Sequence, residues 1–91
     1  MSIINAYSLH DIKAMTYSGP FYQPTDGAAC RVIEEIARDP NTTVGRYPAD
    51  YRLFRVGAFD TDTGVFLALT TPAIVIDVLN LLRGDSAADQ T

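Results

Sequence analysis

Apolar residues Ile3, Ala6, Tyr7 and Leu9 open the chain, a polar His10-Asp11 pair follows, and Ala14-Met15-Thr16-Tyr17 resumes the apolar run. β-Branched and aromatic residues dominate both runs, which predicts two short strands joined near Asp11-Ile12-Lys13. Ser18-Gly19-Pro20 breaks the second strand. Phe21-Tyr22-Gln23-Pro24 is expected to be extended, because the residue before a proline is pushed out of the helical region. Thr25 or Asp26 can then cap a helix whose buried face is Ala29, Val32, Ile33 and Ile36, at the i, i+3, i+4, i+7 spacing. Arg31 with Glu35, and Glu34 with Arg38, sit four apart on its outer side, and each such pair contributes about 0.2 to 0.5 kcal/mol. Pro40 ends this helix at about Arg38, and Asn41-Thr42-Thr43-Val44-Gly45 is expected to be loop.

In the second half, Tyr51 to Phe59 and Val65 to Leu69 are rich in strand formers and are separated by Asp60-Thr61-Asp62-Thr63-Gly64. A strand, a tight polar turn with a glycine able to take positive φ, and a second strand make a hairpin signature. Thr71 then reads as a helix cap and Pro72 as the first helical residue, with Ile74, Val75, Val78, Leu79 and Leu82 on one stripe up to Arg83 and Gly84. Ile76 and Leu81 fill the other side of that stripe, a pattern that also suits a buried strand. The expected fold is α+β, a small antiparallel sheet of two hairpins packed against one or two helices. Residues 1–83 form one domain, and residues 84–91 a flexible polar tail. The surplus of apolar residues from Ile74 to Leu82 predicts a homodimer, since one thin sheet cannot cover all of them.

Ninety-one residues leave no room for a second domain, and a chain of this size buries only roughly 60 to 65 per cent of its unfolded surface. Its 47 per cent hydrophobic and 20 per cent charged content is that of a chain that folds. No stretch approaches the roughly 18 consecutive apolar residues of a membrane span. Met1-Ser2-Ile3-Ile4-Asn5 lacks the basic flank and cleavage site of a signal peptide, so a cytosolic protein without a membrane partner is expected. A single cysteine, Cys30, and a single histidine, His10, leave too few soft ligands for a zinc site of about four, and no metal or other cofactor is expected. Cys30 reads as a small packing residue beside the helix stripe.

Asp60 and Asp62 could clasp a hard cation, but the loop lacks a third oxygen ligand before its glycine and has Thr71 where a calcium loop needs Glu. The plain reading is a turn in which an aspartate accepts backbone N–H bonds. His10 beside Asp11, with Ser8 or Ser18 as nucleophile, invites a general-base reading. Strand neighbours point to opposite faces and no oxyanion site is nearby, so a surface turn histidine is expected and no enzyme. Tyr7, Tyr17, Phe21 and Tyr22 could stack on bases, although aromatic residues in short strands of a small domain read first as core. From Arg46 to Arg55, three arginines and Asp50 give a local charge of +2 on a chain of net charge −4, interleaved with aromatic residues. Arg46, Tyr47, Tyr51, Arg52 and Arg55 are therefore the candidate contacts for single-stranded nucleic acid. Against this, Arg52 and Arg55 fall on opposite faces of a regular strand, the net charge opposes tight binding to a polyanion, and pairing with Asp50, Asp60 or Asp62 is a structural alternative.

Several of these segments resemble a known family. Pro20-Phe21, the helix with Ala29, Arg31 and Ile33, the loop Asp39-Pro40-Asn41-Thr42, and above all Tyr47-Pro48-x-Asp50-Tyr51-x-Leu53-Phe54-x-Val56-Gly57-x-Phe59-Asp60-x-x-Thr63-Gly64 carry the likeness. Together they resemble the small non-structural protein of gokushovirus-type microviruses, the tailless bacteriophages of the Microviridae with single-stranded DNA genomes. The likeness spans residues 20–64, about half the chain. It implies a non-enzymatic viral accessory protein of single-stranded DNA synthesis or packaging, located in the host bacterial cytoplasm and absent from the mature virion. Its implied partners are single-stranded DNA or the viral or host replication and procapsid proteins. The alternative is a protein-protein interaction module that contacts those proteins without touching DNA. The resemblance transfers no catalytic or binding residue.

Overall fold

The computed structural model describes residues 2–84. Strand β1 (Ile3–Asp11) runs through the middle of the sheet, with β2 (Thr16–Tyr17) and β3 (Phe21–Gln23) both antiparallel to it along one edge. Asp11 makes the first reversal by accepting from the backbone N–H groups of Lys13 and Ala14, the local competition with strand pairing that favours aspartate in turns. Where the chain passes from β2 to β3, Ser18 takes over the pairing. Its N–H donates to the Leu9 carbonyl at 2.8 Å, and its carbonyl accepts from the buried Ser8 hydroxyl at 2.8 Å.

Helix α1 (Asp26–Ala37) starts where expected, with the Thr25 hydroxyl accepting from the Ala28 N–H. The Glu34–Arg38 pair also forms, at 2.7 Å. The buried face differs from the expected one. It consists of Ala29, Cys30, Ile33 and Ala37, while Val32 is half-buried and Ile36 exposed. The stripe is turned toward Cys30 because α1 also packs against the third helix, so its small residues face a neighbouring helix as well as the sheet. Cys30 is a core residue, as its position suggested.

The expected loop after Pro40 contains a short helix, α2 (Thr43–Arg46). Thr42 accounts for it: its Oγ1 accepts from the Gly45 N–H and donates to the carbonyls of Ile36 and Asp39, so one hydroxyl caps the new helix and ties it to the end of α1. A 3-10 turn at Pro48–Asp50 leads into β4 (Tyr51–Asp60), which pairs antiparallel with β1 along its other edge.

The second long helix is not there. Strand β5 (Phe66–Asp77) runs on past Thr71 and Pro72 and pairs with β4, and only α3 (Val78–Leu82) is helical. Ile74, Val75 and Ile76 favour a strand and find partners in it, with Ile74 opposite Phe54 and Ile76 opposite Leu53. Pro72 is harmless there because Leu69 to Pro72 bulge out opposite Val56, where no ladder bond requires its missing N–H. The apolar surplus that predicted a dimer is also resolved within the chain. Ile76, Val78 and Leu81 are buried, Leu79 and Leu82 are half-buried, and only Ile74 stays exposed.

The fold is thus α+β, with sheet order β2-β1-β4-β5 and β3 continuing the β2 edge. All helices gather on one face around Tyr7, Ile33, Leu53, Ile76, Val78 and Leu81. The expected tail lies, from residue 85 onward, outside the described residues.

Candidate nucleic-acid interface

Strand alternation divides the sheet into two unlike faces. Tyr7, Leu53 and Ile76 point under the helices, whereas Ser8, His10, Phe54 and Ile74 point the other way. Among the described residues no helix covers this second face, and Tyr17, Tyr22, Phe66 and Ile74 remain exposed on it. Its rings form two groups. His10 lies 4.4 Å from Tyr17 and meets Phe54 edge-on at 5.9 Å, with Tyr17 and Phe54 also edge-on at 5.6 Å. Tyr22 meets Phe59 at 5.9 Å. Between the groups sit Ala6 and Ser8, small residues whose burial follows from the rings on either side. Edge-to-face contact holds each ring in place and leaves part of it open to solvent.

Of the five residues singled out in the sequence, the structure brings few together. Arg46 ends α2 and is exposed, as is Tyr47 beside it. Tyr51 packs against the core; burial, followed by the neighbouring Asp11, raises its pKa above the ordinary tyrosine value. Arg52 lies on the open face opposite His10, and its Nε is 2.9 Å from the carboxylate of its cross-strand neighbour Asp77. Arg55 pairs with Tyr7 on the opposite, helix-covered face. The expected alternation of Arg52 and Arg55 is what the strand register gives, and the arginines form no continuous stripe. The ion-pair partner of Arg52 is Asp77, not the aspartates considered from sequence.

From sequence, the aromatic residues of the short strands read first as core, and the structure divides them. Tyr7 and Phe21 are core-side, 5.8 Å apart, but Tyr17 and Tyr22 join His10, Phe54 and Phe59 on the open face. The available signal was parity along β1, since Ala6, Ser8 and His10 alternate with Tyr7 and Leu9. His10 is not the turn residue expected but a half-buried strand residue between two rings.

The other candidate chemistries are occupied structurally. Asp60 accepts from the N–H groups of Asp62 and Thr63, the turn geometry expected, and Gly64 takes φ +76°. Asp62 accepts from the Ser2 N–H at 3.1 Å, which fastens the beginning of β1 to the hairpin turn. Among the described residues no group of three or more metal-ligating side chains occurs. Tyr7 is fully buried; its hydroxyl donates to Asp26 Oδ1 at 2.6 Å and accepts from Asn5 Nδ2 at 3.2 Å. Burial, then the hydrogen bond to Asp26, pushes its pKa up to about 12.

Residues 4–81 match the family described as phage ORF5 protein, from the start of β1 into α3. The chain belongs to that phage family. The match takes in both the helix-covered core and the open aromatic face. No curated protein and no solved structure matches the chain.

Proposed function

We propose that this phage protein is a non-enzymatic accessory factor of a gokushovirus-type microvirus. It acts in single-stranded DNA synthesis or packaging, through weak contact between its open aromatic face and the strand. The supporting observation is the placement of Tyr17, His10, Phe54, Tyr22 and Phe59 on a sheet face that no described helix covers. Unpaired bases stack on such rings without sequence preference, whereas a base-paired duplex hides the base faces. Arg52 on the same face and Lys13 in the adjoining turn supply cations for phosphates. A non-enzymatic role fits the engagement of the candidate catalytic groups: the His10 ring in the aromatic group, the Ser8 hydroxyl on Ser18, and Asp11 on its own turn. The site of action is the host bacterial cytoplasm, and the protein is not carried into the mature virion.

The net charge of −4 favours a second reading, in which the same face meets a viral or host replication or procapsid protein and no DNA. Fluorescence anisotropy of the full chain with a labelled oligothymidylate at low salt separates the two. Single-strand contact requires measurable binding that falls by roughly tenfold or more in a Tyr17→Ala, Tyr22→Ala double variant, given about 1 to 3 kcal/mol per stacked base. Absence of binding at low salt, or binding indifferent to the double change, leaves the protein-partner reading in its place.

A further inference from the structure

At the turn end of the β4–β5 hairpin several large apolar side chains are exposed. Val65, Phe66, Leu67 and Leu69 are 51, 41, 51 and 37 per cent exposed, and Ile74 farther along β5 is 58 per cent exposed. From Thr63 to Ile76 the sequence contains no charged residue. Among the described residues β5 is also the last strand on its side of the sheet, so the edge of Phe66–Ala68 that faces away from β4 has no described strand beside it. An exposed, uncharged, apolar edge is what soluble proteins ordinarily blunt with a lysine, a proline or a cover. The bulge at Leu69 to Pro72 interrupts this edge beyond Ala68 but leaves Val65 to Ala68 unprotected.

We infer that this surface is covered by a second copy of the same chain, with the Val65–Leu69 segments of two protomers meeting antiparallel about a two-fold axis near Leu67. Charge and edge geometry choose this occupant. The chain carries a net charge of −4, and this charge-free segment lets two copies meet without like charges in contact. A nucleic acid finds no cation here. The geometry fits as well: about that axis Val65 meets Leu69 and Phe66 meets Ala68 across the two copies, so the exposed apolar side chains of the two segments cover one another. Edge-to-edge pairing is isologous and closes at two copies, which satisfies the free backbone groups without leading to fibres. The inference does not rest on DNA binding: Phe66 shares the open face with Tyr22 and Phe59, but the pairing edge is the outer edge of β5, on the other side of β4 and β1 from Tyr17 and Tyr22.

Sedimentation velocity on the full chain from about 1 to 100 μM tests it, a range set by the affinities of ordinary interfaces. Dimer is expected, with Leu67→Glu raising its dissociation constant roughly tenfold or more by placing two carboxylates across the axis. Leu67→Lys has the same effect alone, and an equimolar mixture of the two variants restores the dimer, which shows that both chains are folded. Met15→Glu, at a position 81 per cent exposed in the β1–β2 turn, leaves association unchanged. Monomer throughout the range overturns the inference, as does a dimer insensitive to Leu67 or a failure of the mixture to reassociate. Association that requires an added oligonucleotide also overturns it, and assigns this end to DNA.

Discussion

Two positions show how far single residues hold this fold. A Cβ on Gly45 would overlap the backbone carbonyl of Asp39, and a Cβ on Gly57 would meet the Leu67 carbonyl at 2.6 Å and the Phe66 ring at 2.8 Å. Neither obstacle is the far end of a flexible side chain alone, so relief requires backbone movement. Gly45→Ala is therefore expected to destabilise by about 1 to 3 kcal/mol, the usual range for overpacking, and urea denaturation measures it. The need for glycine at 45 was invisible in the sequence because it depends on Thr42 folding α2 back against the end of α1. Tyr7 supplies a prediction at high pH. Its folded pKa of about 12 lies above the ordinary value of 10.0, so the protonated phenol is favoured in the folded state. That stability is fully present below about pH 10 and is lost as pH rises from 10 toward 12, with Tyr51 acting in the same direction. Thermal melts across that range should fall more steeply for the native chain than for Tyr7→Phe, and ultraviolet titration should show a late-ionising tyrosine that the variant lacks.

Elements were legible where one pattern had one meaning. Thr25, the aliphatic spacing from Ala29 onward, and Pro40 specify α1 whatever surrounds it, and Asp60 to Gly64 specify their turn. Residues 71–83 carried two meanings. Thr71-Pro72 with Ile74, Val75, Val78 and Leu82 satisfies a helix template, while Ile74 to Ile76 equally satisfies a strand. What decides between them is long-range: Phe54 and Leu53 on β4 stand ready to pair with Ile74 and Ile76. Propensity yields to such tertiary pairing, and no local rule anticipates it. The rotation of the α1 stripe has the same origin, since Cys30 and Ala37 are buried against neighbours that the helix sequence does not contain. This difference is measurable. Ile33→Ala should cost about 2 to 5 kcal/mol, as truncation of a fully buried residue does, whereas Ile36→Ala should cost well under that. Equal losses at the two positions in thermal or urea denaturation contradict the observed helix face.

At the scale of the whole molecule, the two sheet faces divide labour: one is packed under three helices and holds the chain together, the other remains available for contact. This separation explains why the candidate site was only half legible. The arginines drew notice as a local run of charge, yet strand geometry sends Arg52 and Arg55 to opposite faces, while the rings that share a face come from four strands, β1, β2 and β3 early in the chain and β4 some thirty residues later. The salt dependence of any single-strand binding follows from that arrangement. Had Arg46, Arg52 and Arg55 all met phosphates, log K would fall against log salt with a slope near −2, at about 0.7 per contact. With Arg52 and Lys13 as the described cations beside the open face, and Arg52 shared with Asp77, the expected slope is shallower, roughly −0.7 to −1.4. Stacking, which salt screens little, then carries most of the affinity. Arg55→Gln should leave the slope unchanged, Arg52→Gln should flatten it, and Tyr17→Ala should weaken binding at every salt concentration without altering it. Anisotropy titrations at several salt concentrations read all three. A slope near −2 that collapses on Arg55→Gln would place the strand on the helix-covered side and remove the aromatic face from the mechanism.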